Sequence, residues 1–183
     1  MRRLWIALLA LFIMALSPES VGASVDSIGI HILHPQEISQ VRQLFSEQNT
    51  NKHTPVYVTI PYSLADTKKA EDWQLFFKQS KEVNVIPIVR LTTAFEKNTW
   101  KVPSRSDVVL LLDSLDKMEW PQPERHIIVF NEVNHAKEWG GQISPRTYAS
   151  ILEFTANWAH TQAHPYVVLP AALDLAAPQS TIS

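Results

Sequence analysis

The chain has no cysteine, 4 glycines against 12 prolines, and no long block of like charge. Each scarcity removes a class of protein. Without cysteine there is no disulfide framework, no thiolate metal site and no cysteine nucleophile. With glycine so sparse, no phosphate-cradling glycine-rich loop and no Gly-x-Ser-x-Gly nucleophile elbow is present, so nucleotide and serine-hydrolase chemistry have no support. The formal net charge of -2 argues against nucleic acid or a membrane surface as partner. No low-complexity tract interrupts the chain, which predicts a compact body.

One apolar run is long, and it stands at the start. Arg2 and Arg3 precede hydrophobic residues 4–16, a break at Ser17-Pro18-Glu19-Ser20 follows, and Val21 and Ala23 supply small side chains before Ser24. That order is the one a cleavable secretory signal uses, and it predicts a signal peptide over 1–23. The run falls short of the roughly 20 apolar residues a permanent span needs. A secreted or extracytoplasmic protein is therefore expected rather than a membrane-anchored one, with one domain over 24–183.

Five segments rich in β-branched or apolar residues follow, at 28–33, 56–60, 85–91, 126–130 and 166–169. Amphipathic segments at helical spacing separate them, at 37–45, 69–81, 108–118 and 148–160. In the second, Trp73, Phe76 and Phe77 share a face that should pack on a sheet. Asp66, Ser106 and Ser144, the last followed by Pro145, are candidate N-caps. Strand and helix alternate throughout, the rhythm of an α/β fold with a parallel sheet. A doubly wound sheet would carry a glycine-rich turn after its first strand, whereas Leu33 is followed by His34-Pro35-Gln36-Glu37. Polar residues instead recur after the strand segments, the habit of a (β/α)8 barrel. A partial TIM barrel of five strands and four connecting helices is the expected architecture, because a whole barrel takes about 250 residues.

The sharpest chemical feature is the apolar segment His126-Ile127-Ile128-Val129-Phe130, which ends abruptly in Asn131-Glu132-Val133-Asn134. A carboxylic acid can protonate the leaving oxygen of a glycoside, and a neighbouring amide can hydrogen-bond a sugar hydroxyl. Here the chain resembles the large clan of retaining (β/α)8 glycoside hydrolases that includes many cellulases, xylanases and mannanases. The resemblance implies that Glu132 is the acid/base and that Asn131 holds the substrate's 2-hydroxyl. Many members continue with proline where this chain has Val133. It also implies a nucleophilic glutamate on a seventh strand, beyond the five segments found, so a chain ending at Ser183 should be inactive by itself. The alternative is a non-catalytic carbohydrate-binding or assembly module that self-associates through open barrel edges. For Glu132 the plainer possibility is a strand-end carboxylate paired with Arg90.

Further candidates for substrate contact are His31, Tyr62, Arg90, Trp139 and Asp174, each near the end of a strand segment. Trp139 is favoured as a stacking platform because Gly140-Gly141 beside it would let a loop approach a ligand closely. Trp100 is an equal candidate for stacking and for covering the core. Asp174 could serve as an inverting partner of Glu132 only at a separation of about 6.5–9.5 Å. His31 and His34 have no third ligand at metal spacing, so no metal and no cofactor is expected. The expected partner is a poly- or oligosaccharide.

Overall fold

In a computed structural model the chain is described over residues 28–48 and 56–177; the signal segment expected at 1–23 lies outside them. In chain order the elements are β1 (Ile28–His31), α1 (Ile38–Gln48), β2 (Val56–Tyr62), α2 (Ala70–Glu82), β3 (Val85–Leu91), the short β4 (Phe95–Glu96) and β5 (Thr99–Trp100), α3 (Arg105–Asp116), β6 (Arg125–Val129), α4 (Pro145–His160) and β7 (Tyr166–Pro170). Among the described residues no helix is long and apolar enough to cross a membrane.

Alternation builds the sheet. Val56, Val58, Ile60 and Tyr62 are buried on β2, as are Val85, Pro87, Val89 and Leu91 on β3, while the residues between them stay half-exposed. A period of two places each set on one face of a pleated strand. The buried face receives Trp73, Phe76, Phe77 and Ser80 of α2, at the spacing of one helical stripe, together with Val108, Leu111, Leu112 and Leu115 of α3. Five strands pair in parallel in the order β1-β2-β3-β6-β7, without a reversal. A doubly wound sheet reverses its order once. Sequential order with right-handed crossovers instead carries every connection to the same side. The expected α/β fold with a parallel sheet is thus present. Its second face carries Tyr57, Thr59, Ile86, Ile88, Arg90, His126, Ile128, Val167 and Leu169, all half-buried.

Two local expectations are corrected and one element is added. The third helix starts at Ser104 rather than Ser106: Ser104 Oγ accepts from the Asp107 N–H at 3.1 Å and Asp107 Oδ2 accepts from the Ser104 N–H at 2.9 Å, a reciprocal capping box. Asp66 does not cap α2. It sits in a 3₁₀ turn before the helix and accepts from the Ser63 N–H and hydroxyl instead. Finally, β4 and β5 form an antiparallel hairpin closed by Lys97 and Asn98, both left-handed with φ of 49° and 64°. That pair of positive φ values gives the tight two-residue turn its hand.

Candidate functional site

Strand β6 breaks its alternation at its carboxyl end. Phe130 has φ of 67° and its N–H donates to the Ile128 carbonyl at 3.2 Å, so the ladder stops and the chain turns over the sheet edge. Glu132, two residues on, has φ of 33°. Left-handed backbone is costly for residues with a Cβ, of order 1–3 kcal/mol each, and it persists only where the surroundings impose it. Packing imposes it on Phe130, which is 4% exposed and meets Trp139 at 5.8 Å between ring centroids. Trp139 in turn meets Tyr148 at 5.6 Å. The Tyr148 hydroxyl donates to the Val129 carbonyl at 3.2 Å and accepts from the Ala171 N–H at 2.6 Å, tying the exits of β6 and β7 together.

Between the two strained residues, Asn131 is fixed at both ends of its amide. Arg90 Nη1 donates to Asn131 Oδ1 at 3.0 Å, and Asn131 Nδ2 donates to Glu138 Oε2 at 3.4 Å. The orientation of the amide follows from charge, oxygen toward the guanidinium and NH₂ toward the carboxylate. One N–H and one lone pair of that amide remain for a ligand. Arg90, Asn131, Glu138, Trp100 and Trp139 line a cleft of about 220 Å³ at the carboxyl edge of the sheet; Glu132 is not among its lining residues, and its charge acts on Arg90. Burial pushes the Arg90 guanidinium below its usual range, opposed by the attraction of Glu138 and then of Glu132. It stays a cation at neutral pH. His31 lies within reach of that charge: burial first, and the Arg90 cation second, hold its imidazole below the usual range.

Of the residues singled out from sequence, Glu132, Asn131, Arg90 and His31 come together at this edge. Among the described residues Arg90 forms no ion pair, so Glu132 is not bound to it as a plain strand-end partner. Tyr62 is corrected: β2 runs two residues further than the sequence predicted, and Tyr62 keeps the parity of Ile60 and Val58. It is 0% exposed, meets Trp73 at 4.6 Å and bonds Ser114 Oγ at 2.7 Å, leaving no surface for a sugar. Trp139 is corrected as well, since at 2% exposed between Phe130 and Tyr148 it walls the cleft from beneath and offers no open platform. The glycines beside it serve a different approach. Gly140 has φ of 67°, its N–H donates to the Trp100 carbonyl at 2.8 Å, and a Cβ there would stand 2.8 Å from Val102 Cγ2. Asp174 lies apart from the cleft, its main chain held by Asn134, whose Nδ2 donates to the Asp174 carbonyl at 2.7 Å and whose Oδ1 accepts from the Asp174 N–H at 3.0 Å. Its own carboxylate accepts from the Ala176 N–H, closing a turn.

Glu138 is the site residue that sequence reading missed. The signal available was its place in the loop that follows the Asn-Glu strand end, one residue before the tryptophan that drew notice. Comparison of the chain with protein-family models, with curated proteins and with solved structures found no match.

Proposed function

We propose that this chain carries the acid/base side of an exported glycoside hydrolase of (β/α)8 type acting on β-linked oligo- or polysaccharides. A parallel sheet in unbroken sequential order, with its polar constellation at the carboxyl edge of the fourth strand of that sheet, is what the first five strands of such a barrel would present. The observation that carries the reading is the pair of left-handed residues, Phe130 and Glu132, flanking an amide locked by Arg90 and Glu138. Backbone strain clusters at active sites and ligand clamps, so its place at this strand end supports the reading.

In this reading Glu132 donates its proton to the glycosidic oxygen as the C–O bond breaks, and recovers one from the water that completes hydrolysis. Asn131 donates its free N–H to a sugar hydroxyl next to the reacting carbon. Arg90 fixes that amide and offsets the negative charge of Glu132 and Glu138. Glu138 is engaged by Asn131, so the nucleophilic carboxyl of a retaining reaction, about 5–5.5 Å from the acid, would come from a strand beyond β7.

The test is hydrolysis of a panel of aryl β-glycosides and of β-glucan, xylan and mannan by the natural full-length gene product. Glu132→Gln should lower kcat on natural glycosides by about 10²–10⁴, and much less on glycosides whose leaving group needs no proton. Full activity in that variant, or no hydrolysis across the panel, would sink the reading. A non-catalytic carbohydrate-binding module is the second reading, favoured by the half-exposed apolar side chains Ile86, Ile88, Ile128 and Leu169 on the open sheet face. Binding of glycans without turnover in the same assay would select it.

A further inference from the structure

The ladder between β6 and β7 is due one rung that it does not make directly. In a parallel ladder the bonded residues of a strand share one parity, each donating to the residue before its partner and accepting from the residue after it. At the start of this ladder the Arg125 N–H donates to the Pro165 carbonyl, the residue before its partner Tyr166. Val129 has the parity of Arg125 and pairs with Pro170, so its carbonyl is due the Ala171 N–H. That N–H goes instead to the Tyr148 hydroxyl at 2.6 Å, and the hydroxyl passes the bond on to the Val129 carbonyl at 3.2 Å. The rung is thereby lengthened by the span of one further hydrogen bond, at most about 3 Å. The very next residue, Phe130, is where the chain turns left-handed.

A rigid arm delivers the hydroxyl. Tyr148 stands at the start of α4, whose entry is set by Ser144 and Pro145, and it continues the stripe of Ile151, Thr155 and Ala159 that is buried along the helix. Its N–H donates to the Ser144 carbonyl at 3.1 Å. Its ring meets Trp139 edge-on, at 87°, and Trp139 packs on Phe130. The side chain therefore acts on two neighbouring residues, through its hydroxyl on Val129 and through Trp139 on Phe130. Burial raises the phenol above its ordinary range against the pull of the Ala171 N–H, so the proton it donates is kept at neutral pH. A direct rung would join the strand ends without any side chain. One placed to lengthen that rung, at the residue before the strained turn, serves the geometry of the turn.

We infer that Tyr148 is a positioning residue: its hydroxyl wedges the exits of β6 and β7 apart, so that Phe130 turns left-handed and Asn131 and Glu132 are carried over the sheet edge. The importance of this to catalysis rests on the acid/base reading of Glu132. The wedge adds to that reading the part of the fold that aims the carboxyl.

The test compares Tyr148→Phe with Tyr166→Phe in the natural full-length gene product. Each removes one shielded phenol hydroxyl beside the β6–β7 pair, the first at its carboxyl edge and the second at its amino edge, so a loss of stability alone should act alike in both. In Tyr148→Phe the rung can close directly, and the Phe130 Cα and Cβ chemical shifts should move from left-handed toward extended values; in Tyr166→Phe they should stay. The ring on Trp139 is kept in Tyr148→Phe, so the variant should remain folded, which its melting curve checks. Its kcat on natural glycosides should fall about ten- to hundredfold, and much less on glycosides whose leaving group needs no proton. Combined with Glu132→Gln it should cause no further loss, and Tyr166→Phe should leave both rates unchanged. Unmoved Phe130 shifts, or a loss of rate shared by Tyr166→Phe or by the activated glycosides, overturns the assignment, while hydrolysis by the wild type keeps the acid/base reading standing. If the wild type hydrolyses nothing, the acid/base reading falls, and the Phe130 shifts alone decide whether Tyr148 sets the strand end.

Discussion

Two arginines stand at opposite ends of the same sheet, and their surroundings differ sharply. Arg125, at the amino end of β6, is 3% exposed; its Nη1 reaches Asp116 Oδ1 at 2.6 Å, the Asp116 carbonyl at 3.0 Å and the Tyr166 hydroxyl at 3.1 Å, and its Nη2 reaches the Met118 carbonyl at 3.3 Å. Its guanidinium also lies over the rings of Trp120 and Tyr166. Arg90, near the carboxyl end of β3, makes one hydrogen bond to a neutral amide and no ion pair among the described residues, although two carboxylates attract it. The charge of Arg125 is consumed by the fold. That of Arg90 is positioned but left available.

The comparison breaks most readily through stability. Arg125→Met strands the Met118 carbonyl and leaves Asp116 with the Tyr166 hydroxyl but no cation, and should cost about 3 kcal/mol in urea unfolding, toward the low end for a broken buried pair because the Asp116 side chain is 27% exposed. Gly140→Ala, on the carboxyl side, should cost about 2 kcal/mol from its left-handed φ and the clash with Val102; a cost near zero would mean that the hairpin shifts freely and does not hold Trp100. Tyr166→Phe should cost about 1 kcal/mol by removing the hydroxyl bonded to Asp116 at 2.9 Å. Burial foremost raises the Tyr166 phenol above its ordinary 10.0, against the pull of Arg125. A raised folded value means that its stabilisation is whole below pH 10 and is lost as pH climbs through that value. The phenylalanine variant should therefore lose part of the alkaline sensitivity of the wild type, read by unfolding curves at rising pH.

Strands and the core face of α2 were legible because alternation and helical spacing follow from burial on one side alone. The position of Asn131-Glu132 at a sheet edge was legible for the same reason, since an apolar strand that ends in three polar residues must end at water. Tyr62 was misread although its parity with Val56, Val58 and Ile60 already placed it on the buried face. Ser104 was passed over although Ser104 and Asp107 have capping-box spacing. The hairpin was hidden for a physical reason: Lys97-Asn98 lacks the glycine that usually marks such a turn. Glu138 was hidden for another. Which side chain a loop returns to a cleft depends on contacts such as Gly140 to Trp100, and local spacing carries no trace of these.

The finest test of the two arginines uses His31 as a reporter. In Arg90→Met the stability should change by less than about 1 kcal/mol, because one hydrogen bond is lost while a half-buried charge is relieved of its desolvation. The His31 imidazole, held down by burial first and by Arg90 second, should titrate higher than in the wild type yet stay below 6.5, as burial remains. A depressed folded value means that His31 contributes stability above about pH 6.5, lost as pH falls through the folded value. Arg90→Met should flatten that loss. Glu138→Gln should do the reverse, because removing the carboxylate that most offsets Arg90 drives His31 lower still. Both shifts can be followed by NMR of the imidazole. If His31 moved in neither variant, the Arg90 charge would already be neutralised within its own cluster, and the carboxyl edge would present a ligand with no more free charge than the amino edge does.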